Sequence, residues 1–184
     1  MNKTLVFIIL IIIVLIISSL FTKRYYYFFP TIPIYPNNKL EVEEVKKYIN
    51  NRTQSDIEFF YKTNKSVSAA FLPYVKENLK ELNSIIHEPN NIILGFKYFF
   101  NRARPNQIDS TIEPLNISTA QTPAYPAGHA FQAYYLAKKL SKTYPHLTKF
   151  FNEIANKCDI TRVKAGLHYP SDGNFARYLV NKLY

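Results

Sequence analysis

The chain has 184 residues, a single cysteine and a formal net charge of +10. Cys158 has no partner, which excludes an internal disulfide, and roughly 155 residues outside the apolar N-terminus suffice for one domain with its own core. The basic balance points to an anionic partner, whether a phosphate ester, nucleic acid or an anionic membrane surface, although most of the lysines are scattered as on an ordinary soluble surface.

Leu5 to Phe21 reads LVFIILIIIVLIISSLF with no charge. As a helix it would span roughly 25 Å, slightly short of a typical hydrocarbon core. Lys3 precedes it, Lys23 and Arg24 follow, and the aromatic run Tyr25 to Phe29 stands where an interfacial belt belongs. We therefore expect residues 1–24 to be an uncleaved single-pass membrane anchor, crossing at residues 5–21. Similar charge on both flanks leaves its orientation open. The competing reading is a signal peptide, which would leave a secreted domain once residues 1–22 are removed.

Pro30, Pro33 and Pro36 mark residues 25–39 as an extended linker. From residue 40 to 184 the pattern is helical. Val42, Val45 and Ile49 share a face. Leu72, Val75, Leu79, Leu82 and Ile86 form a longer stripe, with Pro73 in its first turn. The spacing predicts a central, heavily buried helix over 91–102 and further helices over 130–140, 148–157 and 170–183, the last burying Phe175, Leu179 and Leu183. No alternating strand stands out. The expectation is an all-α helical bundle preceded by one transmembrane helix.

Three stretches carry chemistry. In Phe96 to Pro105, FKYFFNRARP, Lys97 sits in an aromatic helix and Arg104 lies two turns on. Pro105 disfavours helical geometry at Arg104, so the helix should end there with both cations on one face, a clamp for an oxyanion. A lysine in such a helix ordinarily snorkels to the surface. In Ala124 to Ala130, AYPAGHA, a proline-led turn meets Gly128 and His129 at the start of a helix. Unpaired amides and the helix dipole make such an end attractive to anions, and His129 adds a titratable group. In Thr161 to Asp172, TRVKAGLHYPSD, Pro170 marks a helix start. Asp172, four residues after His168, is placed to orient its imidazole and leave the other nitrogen as a nucleophile. The plainer alternative makes Asp172 a helix-start acid and His168 a turn residue.

In this order, Lys-X6-Arg-Pro, Pro-X-Gly-His and Arg-X5-His-X3-Asp resemble the three-part signature of the type 2 phosphatidic acid phosphatase / vanadium haloperoxidase superfamily, with gaps that suit its soluble acid-phosphatase members. The resemblance spans residues 97–172. It implies a helical bundle around a central oxyanion site. Lys97, Arg104 and Arg162 would hold the oxygens, with the Gly128 amide adding a hydrogen bond. His168 would attack phosphorus, Asp172 would orient it, and His129 would protonate the leaving group and then activate water. Such a reaction needs no metal or other cofactor. In the haloperoxidase branch the cofactor would be vanadate, with His168 as its protein ligand. Two positions depart from the pattern: Ala127 and Thr161 stand where serine is usual, and the first loses a donor worth about 1 kcal/mol or more. Lys164 would add positive charge near the mouth or be solvated, and His87 and His146 match no motif.

The resulting expectation is a membrane-anchored phosphatase acting on phosphate monoesters, lipid phosphates among them, through a phosphohistidine. The alternatives are a vanadium-dependent haloperoxidase and a non-catalytic binding protein on the same scaffold. Without a motif or basic stripe for it, no nucleic-acid partner is expected.

Overall fold

A computed structural model of the protein describes residues 8–13 and 35–184. Residues 8–13 are helical with exposed apolar side chains. The rest of the expected anchor and most of the expected linker lie outside the described residues. Among those described, no helix is long and apolar enough to cross a membrane.

Among the described residues the fold is all-helical, with no strand. Its helices are α1 (Asn38–Asn50), α2 (Gln54–Asn64), the short α3 (Ser68–Phe71), α4 (Leu79–His87), α5 (Asn90–Phe100), the short α6 (Pro105–Ile108), α7 (Gly128–Thr143), α8 (Thr148–Lys164) and α9 (Pro170–Leu183). Local chemistry explains several boundaries. Asn37, Thr53 and Asn78 cap α1, α2 and α4 through their side chains, satisfying amides that have no partner within the helix. Gly166, at φ +75°, ends the chain's run through α8, because a left-handed residue favours glycine and an added Cβ would come within 3.1 Å of Ile112.

The centre of the bundle is α7. It buries Ala130, Phe131, Ala133, Tyr134, Tyr135, Leu136, Ala137 and Leu140, and packs against α4, α8 and α9. Small alanines let neighbouring helices approach, while the aromatic rings fill the space between them. A second cluster sits under α1, joining Val42 and Val45 to Ile112, Ala124, Val163 and Tyr169. It holds the 163–169 segment, and with it His168, against α1.

Several expectations need correction. The helix over 91–102 is neither central nor heavily buried: α5 buries Ile93, Lys97 and Phe100, but Ile92, Leu94, Tyr98 and Phe99 are exposed. Its aromatic content reflects one buried edge and one exposed face. The stripe beginning at Leu72 is not one helix. Leu72–Tyr74 forms a 3₁₀ turn, Val75 is extended, and Asn78 starts α4 afresh because its side chain caps the Lys80 and Glu81 amides. Conversely, α8 runs to Lys164 rather than stopping at 157, since nothing before Gly166 breaks it.

Candidate active site

The three chemistry-bearing stretches meet at one small cavity. Its walls include Lys97, Arg104, Gly128, His129, Arg162 and His168, together with Thr119, Thr122, Ala124 and Ala127. Asp172 does not line it.

Lys97 is 3 % exposed, so its ammonium does not snorkel outward. It donates to the carbonyls of Pro123 and Ala124, the second at 3.4 Å. Helix α5 ends at Phe100, earlier than expected, because Asn101 adopts a left-handed conformation at φ 47°. Arg104 is therefore not two helical turns from Lys97. It stands in extended backbone before Pro105, as the proline requires, and returns to the same cavity from the other side of the turn. Its Nε donates to Thr122 O at 2.9 Å and its Nη1 to Leu167 O at 2.6 Å. Arg162, in the last turn of α8, donates to Asn64 Oδ1 at 3.1 Å and Thr119 Oγ1 at 2.9 Å.

These bonds go to neutral acceptors, so the positive charge at the cavity is not cancelled by them. The electrostatics reflect this. Burial, then repulsion by Arg104, pushes the Arg162 guanidinium down to about 9. Burial and Arg104 likewise hold the Lys97 ammonium well below its ordinary value. An anion seated among them would relieve both effects.

Gly128 opens α7 at the cavity wall, so its amide belongs to the first turn, where helical amides have no partner within the helix. Ala127 occupies the N-cap position in extended backbone and offers no side-chain cap. Thr161 donates its hydroxyl to Lys157 O at 2.6 Å, within its own helix, and does not line the cavity.

Both histidines are held neutral. His129 Nε2 lies 3.0 Å from Asn64 O; a carbonyl only accepts, so Nε2 carries the proton. Burial, then Arg162, lowers its pKa well below the ordinary value. His168 is 3 % exposed, and burial is the largest reason that its pKa falls to about 3. Its Nδ1 lies 3.0 Å from Tyr169 O, which by the same argument places the proton on Nδ1 and the lone pair on Nε2. A neutral imidazole with one nitrogen tied back is a competent nucleophile.

Asp172 does not orient His168 directly. Its Oδ2 accepts from the Tyr169 amide at 2.8 Å, and its Oδ1 accepts from Arg102 Nη1 at 2.6 Å. It is the helix-start acid of α9, and its lone pairs are spent on the N-cap amide and a buried cation. Its influence reaches His168 through Tyr169, whose carbonyl holds the ring.

Sequence reasoning missed Arg102. It is fully buried, pairs with Glu41 and Asp172, and lies over the Tyr169 ring at 3.9 Å and the Tyr35 ring at 4.5 Å. Its one signal was a second arginine beside the aromatic run. Asn64, a match to the Asn-X-Ser glycosylation pattern in sequence, serves His129 through its carbonyl and Arg162 and Thr119 through Oδ1. Nothing local in the sequence marks it. Lys164 is neither at the mouth nor simply solvated, since it pairs with Asp56 at 2.7 Å. His87 and His146 are exposed, away from the cavity.

Among the described residues no group of three or more His, Cys, Asp or Glu is arranged to hold a metal ion. In comparison with known proteins, the chain matches no protein family and no curated sequence.

Proposed function

We propose that this protein is a phosphoric ester hydrolase of the phosphatidic acid phosphatase type 2 kind, working through a phosphohistidine on His168. The observation that carries the proposal is the joint placement of Lys97, Arg104, Arg162, Gly128, His129 and His168 around one cavity. A phosphoryl group seated there has its oxygens on the three cations and the Gly128 amide. The Nε2 lone pair of His168 forms the N–P bond while the P–O bond to the leaving alkoxide breaks. The protonated form of His129, which the bound anion favours by raising its pKa, delivers a proton to that alkoxide. The same nitrogen then takes a proton from water as the hydroxyl attacks phosphorus, the N–P bond breaks and phosphate leaves. Fixed positive charge on the equatorial oxygens supplies most of the rate enhancement in phosphoryl transfer, and here it is preorganised by buried hydrogen bonds.

The apolar stretch over residues 5–21 would tether the domain to a bilayer, which brings lipid phosphates within reach beside soluble esters. Vanadate fits the same cations and the same His168 lone pair, so it should compete with substrate.

The test is phosphate release from an aryl phosphate by the full chain in mild detergent with EDTA, with and without vanadate, beside His168→Ala. Turnover that resists EDTA, stops with vanadate and is absent from the variant supports the proposal. Halide oxidation on adding vanadate and peroxide, without ester turnover, assigns the haloperoxidase reaction instead. Neither activity in a folded protein leaves a binding protein.

A further inference from the structure

Asp159 is a buried acid to which the scheme above gives no part. It sits on α8, one turn before Arg162, and is 4 % exposed. Tyr134 of α7 donates to its Oδ2 at 3.2 Å. Its Oδ1 has no hydrogen-bond partner, and neither has Nε2 of His168, 3.7 Å away. Two unsatisfied buried polar atoms that close together are rare enough to need a reason. Asp172 and Arg177 of α9 also act on this carboxyl, the first raising and the second lowering its pKa.

The fold makes room for this carboxyl at one place. On α9, a Cβ at Gly173 would lie 2.1 Å from both Asp159 oxygens. Only glycine at that position lets the carboxyl lie against the first turn of α9, 3.7 Å from His168 Nε2.

We infer that Asp159, rather than Asp172, is the carboxyl that positions His168. The inference rests on the phosphohistidine reading for its consequence but not for its geometry. As Nε2 bonds phosphorus, the ring keeps its Nδ1 proton and gains a positive charge. Above about pH 7, where Asp159 is ionised, its carboxylate beside Nε2 offsets that charge and limits rotation of the ring between Tyr169 O and α8. The anion's other contacts, to Lys97, Arg104 and Arg162, do not involve Asp159.

Two substitutions test this from opposite sides. Asp159→Asn keeps the shape and cannot ionise, so the comparison is made at pH 8, above the Asp159 titration at about 7. Gly173→Ala leaves both partners intact and displaces the carboxyl. With ¹⁵N-histidine-labelled full chain, the His168 ring resonances, assigned with His168→Ala, should move in both variants. Inorganic phosphate affinity should stay within about twofold, while kcat falls about tenfold or more, the scale of one close charge in a protein site. Unmoved ring resonances in folded variants overturn the inference, even if thermal stability drops, because Asp159 would then be structural only. Moved resonances in a protein that hydrolyses no ester uphold the positioning role and overturn the phosphatase reading alone.

Discussion

Arg102→Met removes the charge on which α1, the 101–105 turn and α9 converge. The guanidinium donates to Asn38 Oδ1 at 2.9 Å, Ser171 Oγ at 2.7 Å, Asp172 Oδ1 at 2.6 Å and Glu41 Oε2 at 2.5 Å. Both carboxylates are nearly or wholly buried, so neither can turn to water when the cation goes. Breaking a buried pair by deleting one partner costs about 3–5 kcal/mol, mostly for the stranded charge, and here two charges are stranded. Methionine refills much of the volume, so cavity formation adds little. We expect a loss near 4 kcal/mol, or about 10 °C in Tm for a chain of this size. Urea or thermal unfolding followed by circular dichroism measures it. Adding Asp172→Asn or Glu41→Gln to Arg102→Met should recover part of the loss, because each removes a stranded charge. A loss below about 1 kcal/mol, the scale of an exposed pair, would refute the reasoning.

Three further outcomes follow from the charges and caps. Phosphate affinity, measured by calorimetry, should fall as pH rises toward 9, since Arg162 titrates at about 9 and Lys97 well below its ordinary value; a flat profile from pH 6 to 9 would contradict the cation cradle. Stability against pH should separate two buried groups. Burial raises Asp159 to about 7, so its folded form holds a proton that the unfolded form loses from about pH 4, and stability falls as pH rises through that window. His168, lowered to about 3, works the other way, adding stability as pH rises toward 6.5. Asp159→Asn removes the first effect, so its unfolding free energy should climb more steeply than the parent's between pH 4 and 7, by up to ~4 kcal/mol; parallel curves would contradict the assignment. Ala127→Ser places a hydroxyl at the N-cap of α7 beside the cavity, in the extended backbone a cap needs, and should gain about 1 kcal/mol in stability, phosphate affinity or both. A variant weaker in both would show that the cavity has no room for that hydroxyl.

The helices with strong periodicity and clear punctuation were legible in sequence: Pro170 and the Phe175–Leu179 spacing gave α9, and the turn before Gly128 gave the start of α7. Local composition misled where packing decides. The dense aromatics of α5 read as a core helix, yet one face of it is exposed. The central position of alanine-rich α7 was not legible, because small residues carry little hydrophobic signal, yet they are what lets it sit at the centre. The candidate site residues were legible because they cluster in short motifs. Their partners were not: Asn64 and Glu41 come from other helices, and Asp159, one turn before Arg162 on α8, takes its place from packing against Gly173 of α9. Asp172 shows the same limit. Its spacing from His168 suggested direct contact, but its oxygens go to a helix-start amide, as the plainer alternative had it, and to Arg102, which the spacing does not reveal.

The most direct test of the central claim is to stop the reaction with an aryl phosphate in alkali, which preserves phosphohistidine, and to map the label by mass spectrometry. The account predicts a phosphoryl group on the peptide carrying His168 and none after His168→Ala. Ester turnover with the label on another residue, or with none trapped under conditions where the parent turns over, would contradict it.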